Sequence, residues 1–122
     1  MILVDTSVWI DHFRTGVPAL VERLEQFEVA THPFVIGELA LGSLRQRELV
    51  LALLGGLSTA TIAHHQEVLD FIASSGLWGR GIGYVDVHLL AACHLSPGMR
   101  LWTRDKRLTS VAQEQGVAAG LD

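Results

Sequence analysis

Residues 1–11 read MILVDTSVWID. Ile2, Leu3 and Val4 are strand-forming and apolar, Asp5, Thr6 and Ser7 are short and polar, and a helix-like stretch follows. The segment therefore reads as a strand that runs into a helix with a carboxylate at the junction. Two roles for Asp5 are open. It can cap the helix, or it can occupy the strand end of an open α/β sheet, the place where ligand crevices form.

Working outward, the same alternation repeats. The patterning predicts strand 1–4, helix 6–14, helix 17–26, a short strand near 28–30 and helix 33–44. It continues with helix 46–54, strand 59–62, helix 64–75, a glycine-rich loop 76–83 and helix 85–95. Strand 99–103, helix 105–115 and a last short strand at 117–119 complete it. Pro18 and Pro33 suit first helical turns, "SPG" at 96–98 separates a helix from a strand, and Gly116 stops the last helix. Strands alternating with helices imply right-handed crossovers and a mainly parallel sheet. The expected fold is α/β: an open parallel sheet of about five short strands flanked by helices, in one domain over residues 1–122.

The chain has 122 residues, nearly half of them apolar, and a mean hydropathy of +0.35. A sheet buried on both faces and an apolar surface covered by a partner both account for that value. The longest apolar run, LVLALLGG at 49–56, is far shorter than the roughly 18 residues of a membrane span, and no signal peptide is visible. The single cysteine, Cys93, lies in LLAACHL and reads as core packing, which suits a reducing cytoplasm. A formal charge of −4 argues against a general polyanion binder, but not against a nuclease whose own carboxylates create the deficit.

Four acids stand out. Glu38 lies in PFVIGELALGSL, where its neighbours at three and four positions are Phe34, Val35, Leu41 and Gly42, so a partly desolvated carboxylate is expected. Such a group either snorkels to the helix edge, pairs with an arginine or binds metal. Asp86 in GIGYVDVHLLAACHL and Asp105 in MRLWTRDKRL each begin a helix, so capping competes with function at both. Asp5 and Asp105 both follow strands, and Glu38 and Asp86 sit on helices that must pack on the same sheet. Carboxylates gathered in one crevice repel unless a cation neutralises them. An all-oxygen set selects a hard cation, Mg²⁺ or Mn²⁺, over zinc.

The ordered set VDTSVWID, a lone Glu in an apolar helix, GIGYVDVHLLAA and LWTRDKRL resembles the PIN-domain ribonucleases, and among them the VapC-type toxins of toxin–antitoxin pairs. The resemblance covers essentially the whole chain. It implies that Asp5, Glu38, Asp86 and Asp105 are the catalytic, metal-holding acids, with Thr6, Ser7 and Thr103 as supporting hydroxyls. It also implies Mg²⁺-dependent hydrolysis of RNA phosphodiesters (Mn²⁺ being an alternative), a homodimer, and inhibition by a small VapB-like antitoxin. For RNA, Arg104, Lys106 and Arg107 flank Asp105, and Arg80 lies in GLWGRGIGY between Trp78 and Tyr84. Arginine with aromatics on a glycine loop can hold phosphate and stack bases. Equally, the loop can be a surface connection whose Trp78 and Tyr84 pack on the core. Helices 17–26, 33–44 and 46–54 are the candidates for an apolar groove that takes the antitoxin.

The histidines build no zinc site: His64 and His65 are adjacent, and His88 and His94 are six apart. All six read as structural or solvated, with His12 beside Asp11 as a surface pair. A haloacid-dehalogenase-like phosphatase wants a second acid two residues after Asp5, where Ser7 stands, and a receiver-type phosphoacceptor domain wants an Asp after the middle strand, where AHHQ stands. A non-catalytic PIN-like interaction module is the remaining alternative.

Overall fold

The computed structural model describes residues 1–122. Chain order is β1 (Ile2–Val4), α1 (Thr6–Thr15), α2 (Pro18–Glu25), β2 (Val29–Thr31), α3 (Pro33–Ala40), α4 (Arg47–Gly55), β3 (Ser58–Thr59), α5 (His65–Ser75), α6 (Tyr84–Leu95), β4 (Arg100–Trp102) and α7 (Lys106–Glu114). The four strands form one parallel sheet in the order β3-β2-β1-β4. The chain winds from β1 to β2 and β3 on one side, then crosses to place β4 on the other. A topological switch therefore falls between β1 and β4, and a crevice opens there at the C-terminal strand ends. Asp5 follows β1 at that point and Thr103 follows β4.

Three expectations are corrected. The fifth strand at 117–119 is a single parallel bridge, Leu101 to Ala118, held by Leu101 N–H to the Val117 carbonyl (2.7 Å) and Ala119 N–H to the Leu101 carbonyl (2.9 Å). Gly116 and Gly120, with φ of 72° and 74°, turn the backbone on both sides and leave no room for a longer ladder. The helix expected over 33–44 stops at Ala40, where the Gly42 N–H bonds to Leu39, three residues back, in a tightened last turn. The strand expected at 59–62 pairs only through Ser58 and Thr59, because the Thr61 N–H is taken by the Ser96 hydroxyl at 3.0 Å.

The core is organised by α6, buried at every position from Val87 to Cys93. It packs with Leu3, Val4, Leu101 and Trp102 of the sheet, and with Val8, Leu20, Val35, Val68 and Leu108 of the surrounding helices, all nearly inaccessible. A helix buried all round needs no polar stripe, which accounts for the run HLLAAC. Cys93 is unpaired and buried, and burial pushes its thiol up to about 12, so it is inert packing. No helix is long and apolar enough to cross a membrane.

Candidate functional site at the sheet edge

Asp5 occupies the N-cap position of α1, yet its side chain caps nothing. Its Oδ2 instead accepts hydrogen bonds from the Ser7 hydroxyl at 2.7 Å and the Thr103 hydroxyl at 2.8 Å. The residue is 6% exposed, and no cation pairs with it. A buried carboxylate held by two hydroxyls is only partly compensated, and Asp5 Oδ1 accepts no hydrogen bond from the protein. The hydroxyls are themselves fixed. The Arg104 N–H donates to Ser7 Oγ (3.0 Å), the Asp105 N–H donates to Thr103 Oγ1 (3.1 Å), and the two oxygens lie 3.3 Å apart.

The other acids surround this point. Thr6 donates its hydroxyl to Glu38 Oε1 at 2.8 Å, which ties α1 to α3. Asp86 is half-buried at the start of α6, and its Oδ2 accepts the Gly83 N–H at 2.9 Å. Burial pushes the Asp86 carboxyl up; the Gly83 hydrogen bond opposes this, and the charges of Asp5, Asp105 and Glu38 push it up further. The four acids thus share one electrostatic neighbourhood. Asp105 is exposed and does cap its helix, its Oδ1 accepting the Leu108 N–H at 2.9 Å.

These carboxylates form an open rim. No three of the Asp, Glu, His or Cys side chains close into a ready ligand cage. That arrangement still fits a small hard cation, since Mg²⁺ keeps several waters and needs only one or two carboxylates from the protein. The free Asp5 Oδ1 and the mutual repulsion felt at Asp86 both favour positive charge at the rim.

The expectation that Glu38 is desolvated is overturned: it is exposed. The stripe that carries it, with Phe34 at 38% and Leu41 at 91% exposure, faces outward, while Val35 and Leu39 supply the contact with the core.

Residues 2–114 match the PIN domain family. The chain belongs to that family. It is also 53% identical over 118 residues to Ribonuclease VapC32 of Mycobacterium tuberculosis, from strain CDC 1551 / Oshkosh and from strain ATCC 25618 / H37Rv. That match covers 97% of this chain and 95% of each relative, which makes this a VapC-type PIN domain.

The cations expected to meet RNA are differently placed in this PIN domain. Arg80 is spent in a two-pronged pair with Glu114, both bonds 2.8 Å, which pins the glycine loop to α7. Arg104 bonds to Asp11 at 3.0 Å and to the main-chain oxygen of Asp122 at 2.9 and 3.1 Å. Arg107 lies over Gly81, where an added Cβ would come within 2.6 Å of its Nη1. Lys106 is exposed and makes no ion pair. Trp78, 70% exposed, does not pack on the core, and Tyr84 is 42% exposed, its hydroxyl meeting His65 Nδ1. His12 does not pair with Asp11; its Nδ1 accepts the Val17 N–H at 3.1 Å.

Two placements are finer than the sequence reading, which left the histidines structural or solvated. His32 is fully buried and caps α3, its Nδ1 accepting the Phe34 N–H at 3.0 Å. Arg14 and Arg45 line one cleft with Glu38. The helical spacing of Ile10, Phe13 and Arg14 was the available signal for the α1 side of that cleft.

Proposed function

We propose that this PIN domain, one domain across residues 1–122, is the toxin of a toxin–antitoxin pair and a metal-dependent endoribonuclease. The observation that supports it most is the buried Asp5 carboxylate at the β1–β4 switch, clamped on one oxygen by Ser7 and Thr103 and free on the other. Asp5, Glu38, Asp86 and Asp105 are the residues that would hold Mg²⁺ or Mn²⁺. When bound, such a cation lowers the pKa of a water and offsets charge on the scissile phosphate. Ser7 and Thr103 orient Asp5, and Thr6 orients Glu38 toward the same rim. One of these carboxylates would also take a proton from the attacking water.

Inhibition by a small VapB-like antitoxin is supported by an apolar cleft of about 330 Å³ between α1, α2 and α4, lined by Trp9, Phe13, Leu24, Leu53 and Leu57. Of the helices considered for this groove, α3 does not line it. A cationic antitoxin side chain at the acidic rim would complete the inhibition. The exposed apolar stripe Phe34–Leu41 on α3 suits a homodimer. The inert, buried Cys93 suits the reducing cytoplasm.

Purified protein with total cellular RNA tests the activity. Discrete cleavage in Mg²⁺ or Mn²⁺, lost in EDTA and in Asp86→Asn, is the expected result. Cleavage that survives the substitution removes Asp86 from the site, and cleavage that survives EDTA removes the metal.

A further inference from the structure

A cleft of about 740 Å³ opens beside Glu38, between α1 and the turn that joins α3 to α4. Ile10, Phe13 and Arg14 form its α1 wall; Gly42 and Arg45 lie on the turn. The turn is sharp because Gln46 takes a left-handed conformation, φ 51° and ψ 46°. Phe13 is 37% exposed and so presents part of its ring to the cleft.

The nine Lys and Arg side chains show what this cleft is equipped to hold. Arg23, Arg80 and Arg104 are each neutralised by a carboxylate. Arg47 donates to the Ala40 carbonyl at 3.1 Å, and Arg107 is folded over Gly81. Arg100 starts β4 beside Ile2, at the N-terminal strand ends, and so lies at the other end of the strands from Asp5. Arg14, Arg45, Arg100, Lys106 and Arg107 make no ion pair or side-chain hydrogen bond, and Arg14 and Arg45 are the two of these five that line this cleft. Both guanidiniums are exposed and unpaired beside an acidic rim, and their planar forks remain free to meet a phosphate.

We propose that the cleft carries the sugar–phosphate backbone of single-stranded RNA to the carboxylate rim, with Arg14 and Arg45 as the phosphate contacts and Phe13 as the stacking surface. This rests on the ribonuclease reading above. It replaces Arg80 and Arg104 as the RNA-holding residues, because their charges are already satisfied. The cations flank Glu38, so they offset the repulsion between phosphate and the acids at the point of entry.

The test is binding of a fluorescently labelled 12-nucleotide single-stranded RNA in EDTA, titrated over salt, with parallel cleavage in Mg²⁺. Each phosphate contact contributes about 0.7 to the slope of log affinity against log salt for a single strand. The variant Arg14→Gln/Arg45→Gln is expected to flatten that slope by about 1.4 and to weaken binding about tenfold or more at low salt. Arg14→Lys/Arg45→Lys should restore most of the slope, and Arg100→Gln should not change it. An unchanged slope in the Gln variant, with wild-type melting behaviour, overturns the cleft assignment while wild-type cleavage keeps the ribonuclease reading. Wild-type protein that neither binds nor cuts RNA overturns both. A changed oligomeric state of the Gln variant with unchanged RNA affinity shows that the cleft seats protein, and also overturns the proposal.

Discussion

Asp86 shows how one carboxyl can be costly to the fold. It is half-buried, and three other acids act on it. A carboxyl whose native value is raised above 3.8 gives up stability as pH climbs through that raised value, because the native state then loses a proton it holds more tightly than the unfolded chain does. At neutral pH without metal, Asp86 is therefore a net cost. Asp86→Asn should raise the melting temperature in EDTA, by about 4 °C for each kcal/mol relieved in a domain of this size. Mg²⁺ should raise the wild-type melting temperature and leave the variant nearly unmoved. A wild-type melting curve indifferent to Mg²⁺ and Mn²⁺ would contradict the site. Asp5 differs because its hydroxyl partners, Ser7 and Thr103, arrive from α1 and from the end of β4. Ser7 and its acid are visible together in DTS, whereas Thr103 is 98 positions away in sequence.

At the scale of elements, the glycine loop 76–83 is the clearest case of packing that local sequence does not predict. Glycines permit many backbone conformations, but Arg80 fastens the loop to Glu114 and Arg107 lies against Gly81. Gly81 has φ of 78°, and a Cβ there would collide with Arg107. Gly81→Ala should therefore displace Arg107, strain the backbone and cost about 1–2 kcal/mol from conformation alone. Chemical denaturation measures this, and an unchanged midpoint would show that the loop relaxes freely. The α3 helix teaches the reverse lesson. Its composition suggested a desolvated Glu38, yet a helical wheel shows which residues share a face and not whether another element covers it. Phe34, Glu38 and Leu41 share a face that is left largely open: the Phe34 ring edge meets His88 and Glu38 takes the Thr6 hydroxyl, but Leu41 is 91% exposed.

For the whole molecule, a histidine sealed under α3 is expected to contribute to acid sensitivity, alongside His12 and His88, which burial also lowers. His32 is fully buried, its Nε2 has no hydrogen-bond partner, and burial followed by the nearby His88 lowers it from 6.5 to about 4. Between those values the unfolded chain takes up a proton that the native state refuses, so stability falls as pH drops from 6.5 toward about 4. The span corresponds to roughly 3 kcal/mol at most. Melting temperatures at pH 7 and pH 4.5 should differ by several degrees in the wild type. His32→Asn, which keeps a capping oxygen and does not titrate, should flatten that limb. An equally steep limb in the variant would assign the acid sensitivity elsewhere.

The sequence by itself determined the α/β alternation, the parallel sheet, and four acids placed where strands end or apolar helices begin. These follow from local rules: strand and helix periods, proline and glycine punctuation, and the rarity of a carboxylate beside apolar neighbours. Tertiary structure alone decided how those parts meet. It made the fifth strand a single bridge, and left Glu38 exposed while burying Asp5. It neutralised Arg80 with a glutamate 34 positions away, and set Arg14 and Arg45 around one cleft. The physical reason is range. Helix and strand signals act over a few residues, but burial, charge pairing and cleft shape depend on elements distant in the chain, and no local pattern encodes which of them will touch.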